Sequence, residues 1–216
     1  PIAGVRLLHM AAHDVSGSGE KSFDTVILNS VAQYFPSWEY LVGVMRSART
    51  MISDGGRLFI GDVRDFNLLE AFHTDVQASR VNPDETTNEL MARIRAAMAQ
   101  DKELLISPAF CWQLSEYLPG AWRAAVRLKR GRVRSEMLDF RYDVVLEVGV
   151  PPAAPAVEWH DWQRGNWHLP SLLRHLTDTR DTALGFSDIP NARLDRAQTL
   201  LRGLVDAKDL VFRDWK

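Results

Sequence analysis

Phe23-Asp24-Thr25-Val26-Ile27-Leu28-Asn29-Ser30 and Arg57-Leu58-Phe59-Ile60-Gly61-Asp62-Val63-Arg64 decide the fold. The first is a β-branched, apolar run of the kind found in a central strand buried on both faces, and the second reads as the next strand. Between them Trp38, Leu41, Val42, Met45 and Ala48 recur at helical spacing, with Ser37 after Pro36 as the N-cap. The pattern predicts a helix to about Ile52, stopped by Asp54-Gly55-Gly56. Strand, helix, strand is the repeating unit of a parallel α/β sheet. Such sheets bind ligands outside the carboxyl ends of their strands, which directs attention to Asn29-Ser30 and to Gly61-Asp62-Val63-Arg64.

Working outward, Val5 to Met10 is a candidate strand upstream, followed by a flexible loop at Ser16-Gly17-Ser18-Gly19. Downstream, helices are expected near Leu68 to Gln77, from Asp84 to about Gln100, and from Pro108 to Tyr117. Trp122 to Leu128 and Leu138 to Val148 read as an antiparallel hairpin turning near Lys129-Arg130-Gly131. Pro151-Pro152-Ala153-Ala154-Pro155 reads as a linker, since proline removes donors and favours extended backbone. Beyond it, Trp159, Trp162 and Trp167 are expected to pack a small subdomain with helices centred near Leu173 and Leu200. The chain thus divides into an α/β part, 1–150, and a linker with a small helical C-terminal extension, 151–216.

With 26 Lys+Arg against 28 Asp+Glu in 216 residues, the net charge of −2 gives no general attraction to nucleic acid or to an anionic membrane. No apolar run approaches the roughly 20 residues of a membrane helix. Cys111 is the single cysteine, no Cys/His cluster has metal-ligand spacing, and a reducing cytoplasm is the expected compartment. The start at Pro1, running almost at once into Val5-Arg6-Leu7-Leu8, points to a longer parent polypeptide.

Asn29-Ser30-Val31-Ala32-Gln33-Tyr34-Phe35-Pro36 resembles the segment after the fourth strand of the S-adenosylmethionine-dependent methyltransferase domains of nonribosomal peptide synthetases. Gly61-Asp62-Val63-Arg64 is similar to the motif after their fifth strand. The likeness extends through Leu68 to His73, Leu128 to Gly131, Phe140 to Leu146 and, more faintly, Ile189 to Arg193. The resemblance implies the C-terminal portion of a class I, Rossmann-like fold truncated at its N-terminus, with S-adenosylmethionine as cofactor. The glycine-rich turn after the first strand and the acidic residue after the second are absent, so much of the cofactor grip is implied to precede Pro1.

The implied reaction is N-methylation of an aminoacyl thioester held on a peptidyl carrier protein, beside an adenylation domain. Carbon methylation in a polyketide-type assembly line and a non-catalytic interaction module are the alternatives. In-line methyl transfer requires alignment, worth roughly 7–11 kcal/mol, and an unprotonated amine. Tyr34, His73 and Asp62 are the candidate catalytic groups. Histidine titrates at about pH 6.5 in water, and a lone helical histidine also serves structure. Gln33 and Arg64 are candidate substrate contacts, the alternative for Asp62 and Arg64 being a surface ion pair worth about 0–1 kcal/mol. Asn29 and Ser30 are candidate cofactor contacts, or caps of the next helix. His13-Asp14 lies where the resemblance places the adenine contact, and Asp14 also suits the opening of a loop. Arg123, Arg127, Lys129, Arg130, Arg132 and Arg134 form a basic stretch, read either as a solvated strand face or as a surface for an acidic carrier protein. It lacks the aromatic interleaving that stacks bases, which disfavours nucleic acid.

Overall fold

The computed structural model describes residues 3–18, 23–149, 156–179, 183–207 and 209–215. It separates into two compact units, 1–150 with 196–216, and 151–195. The Pro151–Pro155 linker and Gly19 lie outside the described residues.

The first unit is α/β with a mixed sheet, an arrangement consistent with a Rossmann-like fold. Strand β1 (Phe23–Asn29) leads through a 3-10 turn (Ala32–Tyr34) to helix α1 (Trp38–Met51), and β2 (Ile52–Asp65) follows without a gap. Ser37 caps α1 by accepting from the Tyr40 N–H. Phe23 pairs with Ile52 and Thr25 with Arg57, so the intervening residues of β2 bulge out around Gly55 at φ +79°. That excursion is where the helix stop was expected. From there β1 and β2 run parallel, Leu28 opposite Ile60 and Asn29 opposite Gly61.

Helices α2 (Leu69–Ala78) and α3 (Thr87–Gln100) precede a two-residue strand, β3 (Leu105–Ile106), parallel to Arg64-Asp65 of β2. Helix α4 (Pro108–Tyr117), strand β4 (Trp122–Leu128), the short helix α5 (Glu136–Asp139) and β5 (Arg141–Val148) complete the sheet, whose order is β1-β2-β5-β4. β4 and β5 are antiparallel as expected, but α5 lies between them in place of a tight turn.

Alternation along the strands fixes which face is covered. Leu58, Ile60, Tyr142, Val144, Leu146, Trp122, Ala124 and Val126 pack with Leu41, Met45 and Ala48 of α1 and with Cys111 and Leu114 of α4. Tyr142 pins this layer: its hydroxyl donates to the Ile106 carbonyl at 2.8 Å and lies 3.3 Å from Cys111 Sγ. The opposite face is open where Thr25, Ile27, Arg57, Arg123 and Arg127 emerge, Ile27 being 64% exposed.

Three expectations are corrected here. β1 is not buried on both faces, because among the described residues it is paired along one edge only and no helix covers its second face. Val5 to Met10 forms no strand: without a partner to take its backbone groups it stays irregular, with Leu7 91% exposed. The expected loop at Ser16-Gly17-Ser18 belongs instead to a 3-10 segment, Ala12–Ser18.

Helix α7 (Asp195–Asp206) and α8 (Phe212–Trp215) bring Leu204 and Phe212 against Leu90, Met91 and Ile94 of α3 as a second core. The smaller unit is not purely helical. It pairs β6 (Val157–Asp161) in parallel with β7 (Ala183–Ser187), connected through α6 (Leu169–Asp178). Trp162 and Trp167 pack edge-on to Phe186, and the Trp159 ring lies across Gly185.

Candidate functional site

The carboxyl ends of β1 and β2 carry an unusual backbone. Ser30 (φ 57°) and Asp62 (φ 63°) are both left-handed, a conformation costing a non-glycine residue about 1–3 kcal/mol. They face each other, and the Ser30 hydroxyl donates to Asp62 Oδ2. Asn29 Nδ2 donates to Ser30 Oγ at 3.1 Å. Gly61, opposite Asn29, has no room for a β-carbon, which would overlap the Asn29 carboxamide oxygen. Gln33 is buried beneath, its Nε2 donating to the Ser30 carbonyl at 3.1 Å. The sheet register slips between Ile60 and Val63, which frees the Asp62 N–H from the ladder; it donates to Asp143 Oδ1 at 3.1 Å.

Lys129 closes this cluster. Its Nζ lies 2.5 Å from Asp62 Oδ1 and 2.8 Å from Asp143 Oδ1. Burial works against ionising Asp62. The hydrogen bonds from Lys129 and Ser30, with the charges of Lys129 and Arg141, outweigh it and hold the carboxyl below its ordinary range. Burial likewise opposes the Lys129 charge, but Asp143 and Asp62 raise its pKa above the usual lysine value. The pair is therefore a carboxylate and an ammonium at neutral pH.

Arg64 points into a second cluster. Its Nη1 donates to Asp101 Oδ2 at 2.8 Å and Oδ1 at 3.0 Å, and to Glu103 Oε2 at 3.2 Å; its guanidinium stands 4.6 Å from the centroid of the Phe72 ring. His73 Nε2 lies 2.9 Å from the same Asp101 Oδ2. Arg64, Asp101 and His73 are nearly enclosed, so the alternative of a surface ion pair for Asp62 and Arg64 is corrected: neither is on the surface, and each has a different partner. Burial pushes Asp101 upward, yet the Glu103 N–H, the Arg64 and His73 side chains and the Arg64 charge bring it below its ordinary value. The Leu104 N–H donates to the Gln33 carbonyl at 2.7 Å, tying the Asp101–Glu103 loop to the turn after β1.

Tyr34 ends that 3-10 turn and is 70% exposed. His13 lies against the first turn of α1, Nδ1 2.6 Å from the Tyr40 hydroxyl, and Asp14 is 3.3 Å from the His13 ring. Asn29, Ser30, Gln33 and Asp62 thus come together. Arg64 and His73 meet through Asp101, Tyr34 stands exposed at the adjoining turn, and His13-Asp14 occupies the outside of α1. Asp101, Glu103 and Asp143 are not among the candidates read from sequence, and Lys129 is read there only as part of the basic stretch. The signal for the acids was available: Asp101 and Glu103 sit between a helix end and the apolar Leu104-Leu105-Ile106, at the mouth of the sheet.

No family model matches the chain. Chondramide synthase cmdD of Chondromyces crocatus is 37% identical over 220 residues, covering all of this chain and 6% of that protein. CymA of Salinispora arenicola is 39% identical over 96% of the chain and 2% of its own length, and synthetase TES of Alternaria alternata 32% over 89% and 4%. Its relatives are nonribosomal peptide synthetases. The chain spans only a small fraction of each of these synthetases, and the likeness supports a setting in nonribosomal peptide synthesis. Among the described residues no helix is long and apolar enough to cross a membrane, and no group of three or more His, Cys, Asp or Glu could hold a metal ion.

Proposed function

We propose that this chain is the C-terminal part of a class I, S-adenosylmethionine-dependent methyltransferase unit of a nonribosomal peptide synthetase, acting on the α-amine of an aminoacyl thioester. The observation that carries the reading is the pair of left-handed residues, Ser30 and Asp62, at the carboxyl ends of adjacent parallel strands. Backbone cost of that kind concentrates at functional sites, and this is where α/β sheets bind ligands. The synthetase relatives support a setting in nonribosomal peptide synthesis, and the motif resemblance favours methyl transfer as the chemistry.

The residues present fit one end of the cofactor and the acceptor. When bound, S-adenosylmethionine supplies an electrophilic methyl group, and its C–S bond breaks as the amine lone pair forms the new C–N bond. Asn29 and Ser30, at the strand end, would meet the cofactor there, and the motif resemblance assigns its adenine end to His13-Asp14 beside α1. Asp62, kept ionised by Lys129, fixes Ser30. The amine must lose one proton. His73, oriented by Asp101, and the exposed Tyr34 hydroxyl are the candidates to receive it, while Gln33 and Arg64 hold the turn and loop around the acceptor. The open edge of β1 is suited to a further strand from the rest of the synthetase, bearing the remaining cofactor contacts.

Calorimetric titration of S-adenosylmethionine into this chain, and into a polypeptide extended upstream through the glycine-rich turn, tests the reading. The extended polypeptide should bind and methylate an aminoacyl thioester, and Tyr34→Phe should lower turnover more than cofactor affinity. Absence of both binding and turnover in the extended polypeptide overturns the reading in favour of a non-catalytic module, and methylation at carbon instead of nitrogen reassigns the acceptor.

A further inference from the structure

The loop between β4 and α5 is firmly held yet presents unpaired charge. Lys129 anchors its start on Asp62 and Asp143. The Leu138 side chain covers Gly131, leaving no space for a β-carbon there, and Arg134 Nε binds Asp139 Oδ2 at 2.9 Å at the far end. Between these anchors Arg130 and Arg132 are exposed, and no ion pair or side-chain hydrogen bond among the described residues involves either. Val133 beside them is 79% exposed. In a chain with net charge −2 this local excess of positive charge is not a reflection of overall composition.

We infer that the loop Arg130–Val133 is the docking surface for an acidic protein partner, the carrier that delivers the tethered substrate. The inference rests on the methyltransferase reading for the partner's role, and on the loop's own geometry for its chemistry. Lys129 joins the two: its ammonium is part of the cluster at the strand ends, and the next residue begins the exposed basic segment. A partner bound there therefore arrives beside the Ser30–Asp62–Lys129 cluster. Unpaired surface arginines lose little on docking, because no existing pair must be broken, and a guanidinium fork suits carboxylates. Anchoring at both ends lowers the ordering cost of binding.

The test uses the synthetase that contains this chain, with Arg130→Glu/Arg132→Glu compared against the unchanged enzyme. Two substrates are used: the aminoacylated carrier protein and the same aminoacyl group as an untethered N-acetylcysteamine thioester. KM for the carrier-bound substrate should rise about tenfold or more at low salt, with the difference shrinking as salt is added, while the untethered thioester is methylated at an unchanged rate. Unchanged KM with the carrier, or an equal loss with both substrates, overturns the proposal. Fluorescence anisotropy of labelled carrier protein against the 216-residue chain reads docking without turnover. Loss of that affinity in the variant supports docking even if the enzyme methylates neither substrate, a result that would sink the methyltransferase reading alone. Tighter binding of a duplex DNA probe than of carrier overturns the choice of partner.

Discussion

Replacing Arg64 with methionine removes the charge that faces Asp101 and Glu103 while keeping most of the side-chain volume. Arg64 is 6% exposed and the Asp101 side chain 8%, so the pair belongs with buried ion pairs, in which loss of one partner costs about 3–5 kcal/mol. Two features moderate that figure. The Glu103 N–H and His73 still donate to Asp101, and Glu103 itself has more access to water. Against this, the contact between the guanidinium and the Phe72 ring is also lost, at about 0.5–2 kcal/mol. The net expectation is about 3–4 kcal/mol. For a chain of this size that lowers the melting temperature by roughly 2–4 °C per kcal/mol. Urea unfolding followed by far-ultraviolet circular dichroism measures the change. Arg57→Met, an exposed arginine on the same strand, is the control and should stay within about 0.5 kcal/mol. Adding Asp101→Asn to Arg64→Met should recover part of the loss, because the buried carboxylate no longer lacks its partner. If Arg64→Met falls within about 1 kcal/mol of the Arg57→Met control, the cluster behaves as a surface pair and the argument from burial fails.

Gly61→Ala forces the Asn29 side chain from its place, at about 1–3 kcal/mol, and Asn29→Ala in the same chain should relieve most of the cost; simple additivity in a double-mutant cycle would contradict the steric account. Asp62 and Asp101 have lowered pKa values in the fold, so their contribution is full above the unfolded value of about 4 and is lost as pH falls through the lower folded values. Lys129, raised, contributes fully below its unfolded value near 10.5 and loses that contribution as pH rises through the higher folded one. Asp65 runs oppositely: burial raises its pKa, so Asp65→Asn should gain stability at neutral pH, and denaturation curves from pH 2 to 11 check all three signs. Burial, aided by the charge of Asp65, pushes the Cys111 thiol up to about 11 against the Tyr142 hydrogen bond, so alkylation at pH 8 should wait for unfolding; fast labelling of the native chain, followed by mass spectrometry, would refute that.

What the sequence made legible is what lies close together in it. The parallel neighbours β1 and β2, the Ser37 cap and the Pro108 helix start follow from periodicities and end signals spanning a few residues. The same locality explains the misreading of β1. A β-branched run records what a strand is suited to touch, and among the described residues no helix covers the face that Ile27 presents, which leaves it 64% exposed. β6 and β7 were missed because Val157 to Asp161 and Ala183 to Ser187 are five residues each, with Glu158 and His160 interrupting one and Gly185 the other.

The site divides along the same line, and the division has a physical cause. Asn29, Ser30 and Asp62 could be placed because strand ends are set by the backbone, and a parallel pair in register brings its ends together whatever the side chains are. Lys129 and Asp101 could not, because a charge chooses its partner in space: Lys129 reaches Asp62 from 67 positions away in sequence, and Arg64 reaches Asp101 from 37. A basic stretch of six residues therefore has four fates in the fold, Arg134 being paired with Asp139. Arg123 and Arg127 stay on the open sheet face, Lys129 turns onto Asp62 and Asp143, and Arg130 and Arg132 stand out from an anchored loop. The sheet makes that separation. β4 alternates faces until it ends at Leu128, and the first residue released from the ladder is the one free to turn toward Asp62 and Asp143.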